Sequence, residues 1–408
     1  MEKMTVKDIE VSGKRVLVRV DFNVPLNAEG RITDDSRIKA TLPTIEYLVE
    51  AGAKVILISH LGRPHGKIDD KLSLAIVGQR LSQILRQPVM VAKDCIGSRV
   101  EKAVASLGSG DILLLENLRF RTDEEKGIST FAQALAKLAE VYVNDAFGTC
   151  HRTHASIVGI TNYLPAVAGL LLEKELNTLG RILKAPIHPF AVLLGGAKVS
   201  DKVDMLDNIM DKVDYILIGG GMAATFLKAK SYEVGQSLID DSLGTAINLI
   251  KKTLSNEVEL VLPDDVIVAD EINPETEAQN VATSDILPNK RIVDIGALTI
   301  SLFTKKLERC KTVFWNGPMG IYEIRQFAEG TRTMAKILAG LNATTIVGGG
   351  STAEIITEIK LADKMTFVST GGGASLKFLS GQALPGVEAL LDKKILNSRR
   401  LILANRLE

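Results

Sequence analysis

Residues 15–59 run from RVLVRV (15–20) through TDD (33–35) and IKATLPTIEYLVEA (38–51) to Gly52 and KVILIS (54–59). Two short aliphatic runs thus enclose a segment whose apolar residues recur at helical spacing. The aspartates of TDD are residue types that cap a helix start, and Gly52 is the type expected just past a helix end. The stretch reads strand, helix, strand, which is the repeating unit of a parallel α/β sheet.

The same alternation continues along the chain. Further strands are read at DILLLE (111–116), EVYVND (140–145), FAVLLG (190–195), DYILIG (214–219), ELVLP (259–263), KTVFW (311–315), TTIVG (344–348) and MTFVS (365–369). The midpoint differs. YLPAVAGLLLEKELNTLGRILKAP (163–186) reads as one long helical pattern between Pro165 and Pro186, with no strand inside it. It divides the chain into residues 1–169, a joining helix at 170–186, residues 187–387, and a tail at 388–408 that is expected to pack back on the body. A length of 408 residues suits two full-size cores better than one. The expectation is two domains, each a parallel-sheet, Rossmann-like α/β/α sandwich, with a cleft between them.

Composition narrows the function classes. Lys plus Arg number 49 and Asp plus Glu number 49, so there is no net positive charge to wrap nucleic acid. The start, MEKMTVKDIE, lacks an apolar targeting core, and no apolar run is long enough to span a bilayer. Cys95, Cys150 and Cys310 are odd in number and far apart, which suits a reducing, cytoplasmic setting better than a disulfide framework or a zinc site.

Ligands of parallel sheets bind beyond the carboxyl ends of the strands. In the first half those ends are polar and cationic: Asp21 and Asn23, His60 and Arg63, Arg119, then His151, Arg152 and His154, with Arg37 in the first turn of a helix. Guanidinium groups bind phosphate and carboxylate through two parallel hydrogen bonds, so this set implies a small, multiply anionic substrate. His65 and His188 have no comparable context.

The second half ends its strands in glycine. LLGGAKVSDKV (193–203) spaces Lys198 and Lys202 four residues apart, expected on one face near a helix start, where free amides and two ammonium groups attract an anion. FWNGPMGIYE (314–323) supplies Asn316, Gly317, Pro318 and Gly320, then Glu323, which suits either a ribose hydroxyl or a helix-start carboxylate. Three glycine triplets follow strands: 219–221, 348–350 and 371–373. The first two satisfy GxGxxA, a weak dinucleotide signal, but no acidic residue follows at the expected distance, and a GxxxxGK[ST] loop is absent. A phosphate site built from glycine turns, helix starts and lysines remains.

With those residues assembled, the chain resembles the phosphoglycerate kinase family from about residue 5 to about 392. The resemblance rests on RVDFNVPL, DDSRI, ISHLGRP, LLENLRF, VNDAFGTCHRTHAS, LGGAKVSDK, GGGMAATFL, FWNGPMG, VGGGSTAE, STGGGASLKFL and LPGVEAL, in that order. It implies reversible phosphoryl transfer between 1,3-bisphosphoglycerate and ADP, with Mg2+ accompanying ADP or ATP, by a monomer. By the family pattern, Asp21, Asn23, Arg37, His60, Arg63, Arg119 and Arg152 would bind the glycerate substrate. Gly195, Lys198, Lys202, Gly219, Gly220, Gly296, Asn316, Pro318, Glu323, Gly349, Gly350, Ser351 and Thr352 would line the nucleotide site. The catalytic group would be Arg37, Lys198 and Lys202, with Gly350 and Gly373 offering amides.

One departure bears on the metal. Family members commonly carry Asp after the second triplet, where this chain has Ser351, so no direct carboxylate ligand for Mg2+ is identified. Two rival readings follow from single features: a nicotinamide-dependent oxidoreductase from GxGxxA, and a non-catalytic nucleotide sensor from Ser351. Protection by NAD rather than Mg-ADP would mark the first, and nucleotide binding without turnover the second.

Overall fold

RVLVR, residues 15–19, is buried almost along its whole length, as a strand covered on both faces must be. It is β1 (Arg15–Arg19) of the first of two units. The computed structural model describes residues 2–241 and 243–393. One unit holds the residues up to Asn177 together with the described ones from Ala383, and the other spans Thr178–Gln382.

The first unit continues with β2 (Lys54–Ile58), β3 (Val89–Val91), β4 (Ile112–Leu114), β5 (Val141–Asn144) and β6 (Ala166–Ala168). They form one parallel sheet in the order β3-β4-β2-β1-β5-β6. Val16, Val18, Val55, Leu57, Leu114 and Val143 point into one core, onto which the helix Ser36–Glu50 packs Ile38, Ile45 and Leu48. Each such side chain contributes roughly 1.5–3 kcal/mol on burial. Gly52 has φ of 72° and its N–H donates to Val49 O at 2.9 Å, so it closes that helix in the left-handed conformation glycine tolerates.

β6 corrects the reading of 163–186 as strand-free. Its three residues pair with β5, and the helix Leu170–Lys184 begins only after Gly169. A Cβ at Gly169 would stand 2.2 Å from Asp145 Oδ1, so only glycine fits this break. Asp145 then caps the helix, its Oδ1 accepting the Leu171 and Leu172 amides at 2.9 and 3.1 Å. The division between the units falls within this helix.

The described end of the chain lies on the first unit. Gly386 N–H donates to Cys150 O at 2.8 Å, Asn144 Nδ2 donates to Gly386 O at 3.2 Å, and Leu391 N–H donates to Ala166 O at 2.9 Å. The remainder of the 388–408 tail, residues 394–408, lies outside the described residues.

The second unit holds β7 (Phe190–Leu194), β8 (Tyr215–Ile218), β9 (Glu259–Val261), β10 (Asp265–Ala269), β11 (Gln279–Ala282), β12 (Arg291–Ile295), β13 (Thr312–Asn316), β14 (Thr344–Gly348) and β15 (Phe367–Val368). Six of them form a parallel sheet, β15-β14-β13-β7-β8-β9. The chain leaves β7 toward β8 on one side and returns to β13 on the other. That reversal opens a crevice at the carboxyl ends of β7 and β13, where Gly195 and Asn316 sit. A three-stranded antiparallel sheet, β11-β10-β12, is an addition to the expected parallel architecture. Among the described residues no helix is long and apolar enough to cross a membrane.

Candidate active site

In the first unit the carboxyl ends of β1, β2 and β4 bring cations and polar groups together. Asp21 follows β1 and is 5% exposed, and its Oδ2 accepts a hydrogen bond from Arg37 Nη1. His60 follows β2 and is buried, its Nδ1 lying 3.2 Å from Arg19 Nη2 and 3.8 Å from Asp21 Oδ1. Arg119 follows β4, and its Nη1 donates to Gly62 O at 2.8 Å, while Gly62 N–H donates to Asn23 Oδ1 at 2.8 Å. Glu125 Oε1 is 3.2 Å from Arg119 Nε, within ion-pair distance but outside hydrogen-bond geometry. Arg63 is exposed next to Gly62. The buried Nε of Arg152 has no partner among the described residues.

Burial, then the charges of Arg19, Arg119, Arg152 and Arg37, hold the His60 imidazole well below its usual pKa, so it is neutral at physiological pH. Burial and the nearby Arg152 likewise lower Arg119 from the ordinary guanidinium value. Guanidinium groups this close repel one another, and a bound anion relieves that repulsion.

Arg19, nearly wholly buried, was not anticipated as part of this cluster. An arginine inside a near-continuous aliphatic strand was the available signal, because a charge buried there needs partners.

In the second unit the glycines divide into two kinds. A Cβ at Gly195 would stand 2.0 Å from Pro318 O, one at Gly220 2.7 Å from Gly196 N, and one at Gly219 2.7 Å from Met319 Sδ. At Gly296 it would stand 2.3 Å from the Asp265 carboxylate. These glycines let backbones approach, and the approach is hydrogen-bonded: Gly195 N–H donates to Asn316 O at 3.0 Å and Gly196 N–H to Pro318 O at 2.9 Å. Gly350, Gly372 and Gly373 are different, since a Cβ on any of them would meet nothing within 4 Å.

Those open glycines begin helices. Gly350, Ser351 and Thr352 form the first turn of Gly350–Glu358, after Gly349 at φ 95°, and Gly373 begins Gly373–Leu379. The first amides of a helix have no intrahelical acceptor and carry its positive dipole end. Asn316 Nδ2 is buried without a partner among the described residues, and it lies where a Gly349 Cβ would come within 2.9 Å. Ser351 is half-buried.

Lys198 and Lys202 do not share a helix face. Lys202 ends a turn closed by its N–H donating to Val199 O at 2.9 Å, Lys198 precedes that turn, and the helix starts only at Val203. Two glycines before the lysines hold this loop against the 316–319 turn, so helix formation is delayed. Lys198 is exposed, whereas burial lowers the Lys202 pKa against the opposing effect of Asp201. Glu323 is exposed in a turn well before the helix Glu329–Gly340, which removes the helix-start reading of it.

The phosphoglycerate kinase family model matches residues 6–382. The chain is 53% identical over 394 residues to the phosphoglycerate kinase of Pelotomaculum thermopropionicum, covering 96% of this chain and 100% of that one. The structure of phosphoglycerate kinase from Coxiella burnetii superposes with a TM-score of 0.82 at 39% identity, over 95% of this chain and 98% of that one. The one from Pyrococcus horikoshii superposes with 0.85 at 32% identity, over the same shares. The chain therefore belongs to the phosphoglycerate kinase family of phosphotransferases, whose activity is reversible phosphoryl transfer between 1,3-bisphosphoglycerate and ADP.

Proposed function

We propose that the chain passes the acyl phosphoryl group of 1,3-bisphosphoglycerate directly, in line, to the β-phosphate of ADP. The glycerate is held by the Arg37, Arg119 and Arg152 cluster with Asp21, Asn23, His60 and Arg63, and the nucleotide by the glycine helix starts of the second unit. The observation that carries this reading is the open space before Gly350, Gly372 and Gly373, beside helix starts. The packed backbone at Gly219 and Gly220 leaves no room for the pyrophosphate of a nicotinamide cofactor there, which weighs against the oxidoreductase reading.

The chemistry needs no general base. The glycerate carboxylate is ionised at neutral pH and is both acceptor and leaving group, so the residues act by positioning and by charge. The charges assigned to the transferring phosphoryl oxygens are those of Arg37, Lys198 and Lys202, with the Gly350 and Gly373 amides as hydrogen-bond donors. Burial of Lys202 strengthens its field on a phosphoryl oxygen, because fewer waters screen it.

Magnesium, when bound, neutralises nucleotide phosphate charge. Among the described residues no group of three or more His, Cys, Asp or Glu is placed to hold a metal. The donors fit a magnesium that keeps water and phosphate ligands, with the Ser351 hydroxyl as this chain's contribution. We further propose that the enzyme works as a cytoplasmic monomer and that the joining helix acts as a hinge.

The test is ATP-dependent phosphorylation of 3-phosphoglycerate, followed by a coupled assay, for wild type, Lys202→Ala and Arg37→Ala. Wild type turns over with magnesium, and each variant loses orders of magnitude in kcat. Absence of wild-type turnover would overturn the reading, and an Arg37→Ala effect on KM alone would remove Arg37 from the catalytic group.

A further inference from the structure

We propose that Glu124 and Ser156 are positioning residues which, acting through Arg19, hold His60 as the neutral tautomer with its proton on Nε2. The inference rests on a buried chain of hydrogen bonds whose directions are all determined. Glu124 is 1% exposed and accepts twice from one residue: Ser156 N–H donates to Oε2 at 2.9 Å and Ser156 Oγ–H to Oε1 at 2.5 Å. The hydroxyl proton is committed to the carboxylate, so the Ser156 lone pairs face Arg19, whose Nε donates to Oγ at 3.1 Å. Arg19 Nη1 donates to Val20 O, and Nη2 is 3.2 Å from His60 Nδ1.

A guanidinium has donors and no acceptor. Nδ1 of His60 must therefore accept, and the single proton of the neutral ring lies on Nε2. Against burial, the Glu124 carboxylate has His154 Nδ1 at 3.7 Å, the nearby Arg19 charge and the hydrogen bonds from Ser156, and it is held below the usual carboxylate range. It stays ionised and compensates the buried guanidinium. The charged groups facing His60 are Arg19 at the end of β1, Asp21 just beyond it, Arg37, Arg119 and Arg152. Only Asp21 favours a second proton on the ring, and its Oδ2 is bonded to Arg37. The ring thus offers a neutral N–H donor, which can hydrogen-bond an anionic oxygen without adding a titrating charge.

The functional consequence, though not the tautomer, depends on the reading that His60 contacts the glycerate substrate. Ring nitrogen shifts from long-range 1H–15N correlation in ligand-free protein test the tautomer directly, and the chain has only five histidines to assign. His60 should show an acceptor-type Nδ1 and a protonated Nε2, unchanged from pH 8 to pH 5. A protonated Nδ1, or a ring that titrates near pH 6.5, would overturn the proposal.

Ser156→Ala removes the relay and should yield mixed tautomers with a roughly tenfold higher KM for 3-phosphoglycerate at nearly constant kcat. Ser156→Thr restores the hydroxyl and should restore the wild-type spectrum, and an Ala variant with an unaltered His60 spectrum would sink the positioning role. If the wild-type spectrum is as expected but His60→Gln leaves KM unchanged, the substrate contact fails and the tautomer assignment stands.

Discussion

Thr352 Oγ1 accepts the Gly317 amide hydrogen at 2.8 Å, tying the first turn of Gly350–Glu358 to the turn that leaves β13. Thr352 is fully buried. Its hydroxyl thus braces two pieces of the nucleotide side against each other, whatever contact it also makes with a ligand. Thr352→Val keeps the shape and leaves the buried Gly317 N–H unpaired. The expected loss is about 1–3 kcal/mol of stability by denaturant unfolding, with a raised KM for nucleotide. Thr352→Ser keeps the acceptor and should lose much less. Equal stability for Val and wild type would refute the brace.

The two kinds of glycine make opposite predictions. Gly195→Ala drives a methyl against the Pro318 carbonyl, which is backbone and cannot rotate away, so several kcal/mol of stability should go. Gly373→Ala meets nothing and starts a helix, so stability should hold or rise by up to about 1 kcal/mol. Its methyl nevertheless enters the space assigned to the transferring phosphoryl group, and kcat should fall at least tenfold. Paired unfolding curves and steady-state kinetics separate the two. A stable, fully active Gly373→Ala enzyme would move the phosphoryl group elsewhere.

All ten strands read from the sequence are present, because each is an apolar run long enough to show its burial locally. What escaped was β3, β6 and the antiparallel trio β10, β11 and β12, of which DVIVA (β10) is as apolar as the strands that were read. QNVA (β11) is largely exposed and becomes a strand only by pairing with β10, a partner more than ten residues away. AVA (β6) merged in the sequence with the apolar start of the helix behind it, and the break rests on Asp145 crowding Gly169. The site divided in the same way. Strand-end cations are visible in a linear sequence, whereas the Arg19, Ser156 and Glu124 chain links residues up to 137 positions apart.

A buried carboxylate in the second unit predicts a pH dependence. Burial pushes Asp294 up to about 7, against hydrogen bonds from the Gly330 and Ile295 amides, with Glu329 adding to the rise. An acid whose folded pKa lies above its unfolded value holds a proton in the native state that the unfolded chain releases. Its contribution is full below about pH 4 and is lost as pH rises toward 7. Asp294→Asn should flatten the fall in stability between pH 5 and 7, by up to about 1.4 kcal/mol per pH unit. Trp315, the sole tryptophan, lies in this unit and reports its unfolding by fluorescence. Parallel slopes for the two proteins would show that Asp294 is ionised throughout.

Ser351 decides how this chain meets magnesium. It is the second residue of Gly350–Glu358, where a carboxylate would face both the positive end of the helix dipole and any metal on the nucleotide phosphates. Ser351→Asp should therefore do two separable things. In the presence of a chelator it should raise stability by roughly 0.3–1 kcal/mol through the dipole alone. In the kinase assay it should lower the magnesium concentration for half-maximal activity by about tenfold, since an anionic oxygen is a far better ligand for a hard cation than a hydroxyl. Ser351→Ala removes the hydroxyl and should raise that concentration. If both variants match wild type in their magnesium dependence while the Asp variant gains stability, the metal is held wholly by phosphate and water, and Ser351 is no part of its site.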